Sequence, residues 1–118
     1  LVYADQRKFK KAIRSYQKSI QFQPHETYPY VFLATALSIK GKLKKAEKVL
    51  LERLKKEGDI DEVNYNLSLN YARQGKLKKA IKAMKDCIQI EPNYPGAKDF
   101  LEDFKNFRKK IQNNLPYI

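Results

Sequence analysis

Cysteine is nearly missing from this chain. Cys87 stands alone, so no internal disulfide framework can hold a fold together. Histidine is also single, and His25 with Cys87 cannot make a zinc site without several carboxylates. Tryptophan is absent, and glycine (4) and proline (5) are scarce, while lysine, leucine, isoleucine and alanine are plentiful; that balance leans toward helix. No apolar run approaches the roughly 18–20 residues that a membrane-crossing helix needs. Acids are in short supply as well: 13 against 25 basic residues leaves a net charge of +12. Such an excess needs a place to go, whether a nucleic acid, an anionic membrane surface, an acidic protein or a solvated face. The opening Leu1-Val2-Tyr3-Ala4 has neither a Met nor a secretory pattern. The sequence is therefore expected to be a piece of a longer polypeptide, and it leaves the compartment open, with the cytoplasm as default.

What is present is a period. Residues 41–46 and 75–80 both read GKLKKA, 34 residues apart, and 7–12 read RKFKKA one period earlier. The same offset brings Leu33, Leu67 and Leu101 into phase, then Tyr3, Leu37 and Tyr71, and then Tyr16, Leu50 and Met84. Ile20, Leu54 and Ile88 follow, and Pro24, Gly58 and Pro92 close the units. A fixed period across so many columns is the mark of a repeat architecture.

Within each unit the apolar spacing is helical. Tyr30, Leu33, Ala34 and Leu37 make one stripe over 29–40, and Leu43, Ala46, Val49, Leu50 and Leu54 make another over 43–57. Gly41 between them can take the left-handed conformation that ends a helix. The next unit predicts helices over 61–73 and 77–90 around Gly75, with Asp59 and Glu62 as a capping box. A last helix is predicted over about 95–113. Helix pairs joined by short turns pack antiparallel, and each pair leaves an apolar face for the next.

These residues resemble the tetratricopeptide repeat family, whose period is 34. The likeness rests on small residues where paired helices touch (Ala34, Ser68), an alanine early in the second helix (Ala12, Ala46, Ala80) and a large apolar residue four places on (Tyr16, Leu50, Met84). It implies an all-α, right-handed superhelical stack forming one domain: a partial repeat over 1–26, repeats over 27–60 and 61–94, and a capping helix over 95–113. The small residue expected late in each second helix is Ser19 and Cys87, but Arg53 in the middle unit. That arginine is expected to snorkel outward or meet an acid.

Catalytic and cofactor chemistry is hard to find. GKLKKA lacks the first glycine and the Ser/Thr of a phosphate loop. His25 follows Pro24 in an expected turn and reads as solvated, and Cys87 reads as a core thiol. No nucleophile, base and oxyanion donor come together. No enzymatic activity, cofactor or metal is expected.

Two surfaces remain. The resemblance places the concave groove on first-helix residues not spent on packing: Tyr28, Val31, Thr35, Ser38 and Ile39, then Glu62, Tyr65, Asn66, Leu69 and Arg73, with Asp99 and Asp103 from the last helix. Some family members clamp a C-terminal carboxylate there, but Val31, Thr35, Gly96 and Phe100 occupy the positions that would supply the clamp. The groove thus favours an apolar or aromatic peptide segment or helix of a protein partner, although Ile39 and Leu69 could instead pack against neighbouring helices. The second surface is a basic ridge of Lys42, Lys44, Lys45, Lys76, Lys78 and Lys79, which could hold nucleic acid or another polyanion. Its almost purely lysine make-up fits a solvated edge equally well. Self-association through Leu1, Val2 and Tyr3 at the cut first unit is a third expectation.

Overall fold

The computed structural model describes residues 3–114, with side chains from Gln6 onward. Six helices follow in order: α1 (Tyr3–Phe22), α2 (Tyr28–Ile39), α3 (Leu43–Leu54), α4 (Asp61–Arg73), α5 (Leu77–Ile90) and α6 (Ala97–Asn114). There is no strand among the described residues. Each helix packs on the next, and α2 also touches α4. The radius of gyration, 15.9 Å, exceeds the ~13.5 Å expected of a compact domain of this length, as stacking in one direction requires. The architecture is an all-α helical repeat of the tetratricopeptide type.

The turns inside the pairs α2/α3 and α4/α5 are copies of one another. Gly41 and Gly75 have φ of 81° and 78°, a region that costs any residue with a Cβ. They let Lys42 N–H reach back to the Leu37 carbonyl (2.9 Å) and Lys76 N–H to that of Tyr71 (2.8 Å), closing each first helix. Arg7 holds the corresponding place in the first unit, and there the chain does not turn: α1 runs through it as unbroken helix. The sequence reading expected only a partial repeat over 1–26 here.

The capping box at Asp59 does not form. Ile60 is the residue preceding α4, with no side-chain cap, and the Asp59 carbonyl instead accepts a bond from Thr27 Oγ1 at 3.1 Å.

The core has two parts. Val31, Ala34, Ala46, Leu50, Val63, Leu67 and Tyr71 bury together across α2, α3 and α4. Met84, Cys87 and Ala97 bury under Tyr65, Leu69, Phe100 and Leu101 across α4, α5 and α6. Small residues allow the close approach: Ser68 Oγ donates to the Ala80 carbonyl at 2.6 Å, directly linking α4 to α5. Asn70, fully buried, donates through Nδ2 to the Leu43 carbonyl at 3.0 Å and ties one pair to the other.

Arg53 neither snorkels nor meets an acid. It is 2% exposed, its Nη1 donates to the Lys56 carbonyl at 3.0 Å, and its Nε has no partner. The guanidinium folds back over the end of α3, where Gly58 leaves it room: a Cβ there would lie 3.0 Å from Nη2.

Candidate functional site

The face expected to bind a partner is divided by the structure into a filled end and an open end. At the filled end, Tyr65 of α4 stacks on Tyr94 (4.7 Å between centroids) and meets Phe100 edge-on (5.9 Å), and Phe100 continues to Phe104. Tyr65 and Leu69 are half-buried and packed over the second core cluster. Burial pushes the Tyr94 hydroxyl up to about 12, with Glu62 adding to the rise. Sequence reasoning missed this aromatic cluster, although Phe100 lies in phase with Asn66, one period from a residue already placed on the face.

The open end is α2. Tyr28, Phe32 and Ile39 are 45%, 47% and 69% exposed, Thr35 is exposed beside them, and Ser38 is half-buried. Tyr28 meets Phe32 edge-on at 5.9 Å, and Phe32 meets Tyr16 of α1 at 5.6 Å. Phe32 was absent from the residues drawn from the sequence, yet it is in phase with Asn66, which was among them. Val31 must be corrected: at 5% exposure it belongs to the core and offers nothing to a ligand.

Between α1 and α2 lies a crevice of about 340 Å³, lined by Lys8, Phe9, Ala12 and Tyr16 on one wall and by Phe32, Thr35, Ala36 and Ile39 on the other. All but two of these residues are apolar.

The polar members of the face are spread out. Glu62, Arg73, Asp99 and Asp103 are exposed, and Asn66 is half-buried with its Nδ2 donating to the Glu62 carbonyl at 2.8 Å. None of these is linked to another by a side-chain ion pair.

On the turn edge, Lys42, Lys44, Lys45 and Lys76 surround one shallow depression, so the stacking does bring lysines of two units together. Lys78 and Lys79 are exposed on the first turn of α5. Two of the six are engaged: Lys76 lies 3.9 Å from Glu47, and Lys79 sits over the Tyr71 ring at 5.6 Å. Leu1, Val2 and the side chain of Tyr3, invoked for self-association, lie outside the described residues.

Among the described residues no group of His, Cys, Asp and Glu is placed to hold a metal, and no helix is long and apolar enough to cross a membrane. His25 is exposed in the turn before α2. Cys87 is buried, and that burial, with Asp61 and Glu91 behind it, pushes its thiol up to about 11.

Comparison with known proteins supports the repeat. Residues 61–94 match the family model of the tetratricopeptide repeat. The chain is 28% identical over 114 residues to human protein O-mannosyl-transferase TMTC1, an alignment covering 97% of this chain and 13% of that protein. Residues 61–94 thus match one tetratricopeptide repeat, a unit that suggests protein partners.

Proposed function

We propose that this chain is a non-enzymatic protein-interaction scaffold, taking an apolar or aromatic peptide segment or helix on the face built by its first helices. One observation carries the reading: Tyr28, Phe32 and Ile39 stand exposed on a single helix, α2, where they fill no core. Monomers rarely leave a contiguous apolar patch in water without a use for it. The surrounding charges, Glu62, Arg73, Asp99 and Asp103, form a polar rim that would orient a ligand rather than hold it. The transferase named by the human relative is a whole protein of which this chain spans a small part. The reading gives this segment the binding role and no catalytic step.

A second reading has its own support. The first turns of α3 and α5 carry lysines and no acid, adding to the positive end of each helix dipole. That edge would attract a polyanion such as nucleic acid.

Capture of partners by the chain at low and high salt separates the two. Burial of apolar groups resists salt, whereas phosphate contacts weaken steeply with it. Salt-resistant capture should be lost in a Tyr28→Ser, Phe32→Ser double variant and kept in Lys42→Glu, Lys44→Glu, Lys76→Glu. Capture that washes off with salt and fails only in the lysine variant overturns the proposal in favour of the basic edge.

A further inference from the structure

We infer that the lysine-rich turn edge docks on an anionic lipid bilayer, its lysines at the headgroups and Ile39 entering the boundary beneath them. The inference goes beyond the scaffold reading, because it concerns the ends of the helices and gives them a surface, not a peptide, as partner.

Charge is sorted along the helices and not spread over the molecule. Residues 40–48 and 73–79, which form the α2/α3 and α4/α5 turns and the starts of α3 and α5, hold nine bases and a single acid, Glu47. At the other end of these helices, residues 57–62 hold four acids and no base. The Thr27 bond to the Asp59 carbonyl draws that acidic segment against the start of α2. Much of the net charge of +12 therefore gathers on one edge, and a field of one sign orients the molecule before contact.

The shape of that edge suits a plane. Lys42, Lys44 and Lys45 recur in phase as Lys76, Lys78 and Lys79, so the row faces one way. Lysines of both turns surround one shallow depression, with Leu43 in its lining. The stack grows from α1 toward α6, each helix on the next, and the turns lie at its side. Units added at either end of the stack would leave this edge open.

Side-chain chemistry favours lipid over nucleic acid. Nucleic acid is held best by guanidinium forks and by aromatic rings on which bases stack. Of the nine bases here only Arg73 is an arginine. Phe9 and Tyr71, the aromatics at this edge, lie under Lys40 and Lys79 at 5.9 and 5.6 Å, closed to a base. Ile39, by contrast, ends α2 beside Lys40 and is 69% exposed. An aliphatic tip among ammonium groups adds nothing on a phosphate backbone. On a bilayer it enters the boundary of headgroups and acyl chains, while the lysines extend on flexible stems to the lipid phosphates and carboxylates. Lys42, Lys44, Lys45 and Lys78 make no ion pair among the described residues, whereas Lys76 lies near Glu47. Each lysine brought to an anionic surface tightens binding about fivefold, so Lys42, Lys44 and Lys45 together contribute about a hundredfold.

Flotation of the chain with two sets of vesicles is the test: pure phosphatidylcholine, and phosphatidylcholine with phosphatidylserine in equal parts. The expected result is binding to the second set alone, falling as salt rises. A triple variant, Lys42→Gln, Lys44→Gln, Lys45→Gln, should weaken binding about a hundredfold, and Ile39→Ser about fivefold. Lys55→Gln with Lys98→Gln, away from this edge, should leave it within about twofold. All six substituted residues are exposed, and thermal unfolding verifies that the variants remain folded. Absence of binding to the anionic vesicles at low salt overturns the inference. So does binding unchanged by the triple substitution or by Ile39→Ser. A DNA duplex of arbitrary sequence, bound more tightly than the vesicles at the same salt and lost in the triple variant, overturns it in favour of nucleic acid.

Discussion

Replacing Arg53 by methionine should stabilise this protein. A guanidinium taken out of water costs several kcal/mol even after the protein relaxes around it. Arg53 is 2% exposed, faces no acid, leaves Nε without a partner and recovers one hydrogen bond, to the Lys56 carbonyl. A charged bond of that kind returns about 1.5–3 kcal/mol. Methionine keeps the bulk of the aliphatic stem and removes the charge, so the balance favours Arg53→Met by about 1–3 kcal/mol. Arg53→Ala should fall about 2 kcal/mol below the methionine variant, because the stem's packing is lost too. Gly58 supplies the control. Its φ of 121° strains any side chain, and a Cβ would also stand 3.0 Å from Nη2. Gly58→Ala should therefore cost less in the Arg53→Met background, with a coupling of about 0.5–1 kcal/mol. Urea unfolding with an unchanged m-value measures all four corners of the cycle. Destabilisation by Arg53→Met, or a coupling of zero, would refute the reasoning.

Other outcomes follow from the same packing. Met84→Ala should cost about 2–5 kcal/mol, as full burial implies. Tyr16→Ala, in the same column two repeats earlier, should cost well under that, since Tyr16 is only half-buried; equal losses in urea titration would mean that α1 is covered after all. Asn70→Ala removes the bond to the Leu43 carbonyl that joins the two pairs and should cost about 1–3 kcal/mol. Cys87, raised to about 11, should resist alkylation at neutral pH until the chain unfolds, and rapid labelling of native protein would contradict its burial. Cys87, Tyr71 and Tyr94 all have raised folded pKa values, with Tyr94 at about 12. Their neutral forms favour the fold, so their contribution is complete below pH ~9 and declines as pH rises from there toward ~12. Thermal melts across that range should show a falling midpoint, and a midpoint that rises would reverse the sign.

The architecture was legible because a repeat states its packing many times over. Columns such as Ala46 with Ala80 and Leu50 with Met84 had to be buried if the helices paired at all, and they are. Gly41 and Gly75 marked their turns through a conformation few other residues tolerate. The binding face was harder to read because its residues are those the packing leaves free. Val31 and Phe32 are neighbours in sequence on one helix, and a small rotation decides which of them is core; the repeat phase through Asn66 pointed to Phe32. Tyr65 looked available until Tyr94 and Phe100 closed on it, a contact between elements that no local pattern contains. Arg53 broke its column, and its local carbonyl partner on Lys56 depends on how α3 ends.

Amide hydrogen exchange of the chain, alone and saturated with a captured partner, tests the scaffold reading most directly. New protection should gather in α1 and α2, centred on residues 28–39, and should persist at high salt. Protection confined to the turns at 41–45 and 75–79, and lost as salt is raised, would place the working surface on the lysines and contradict the apolar face.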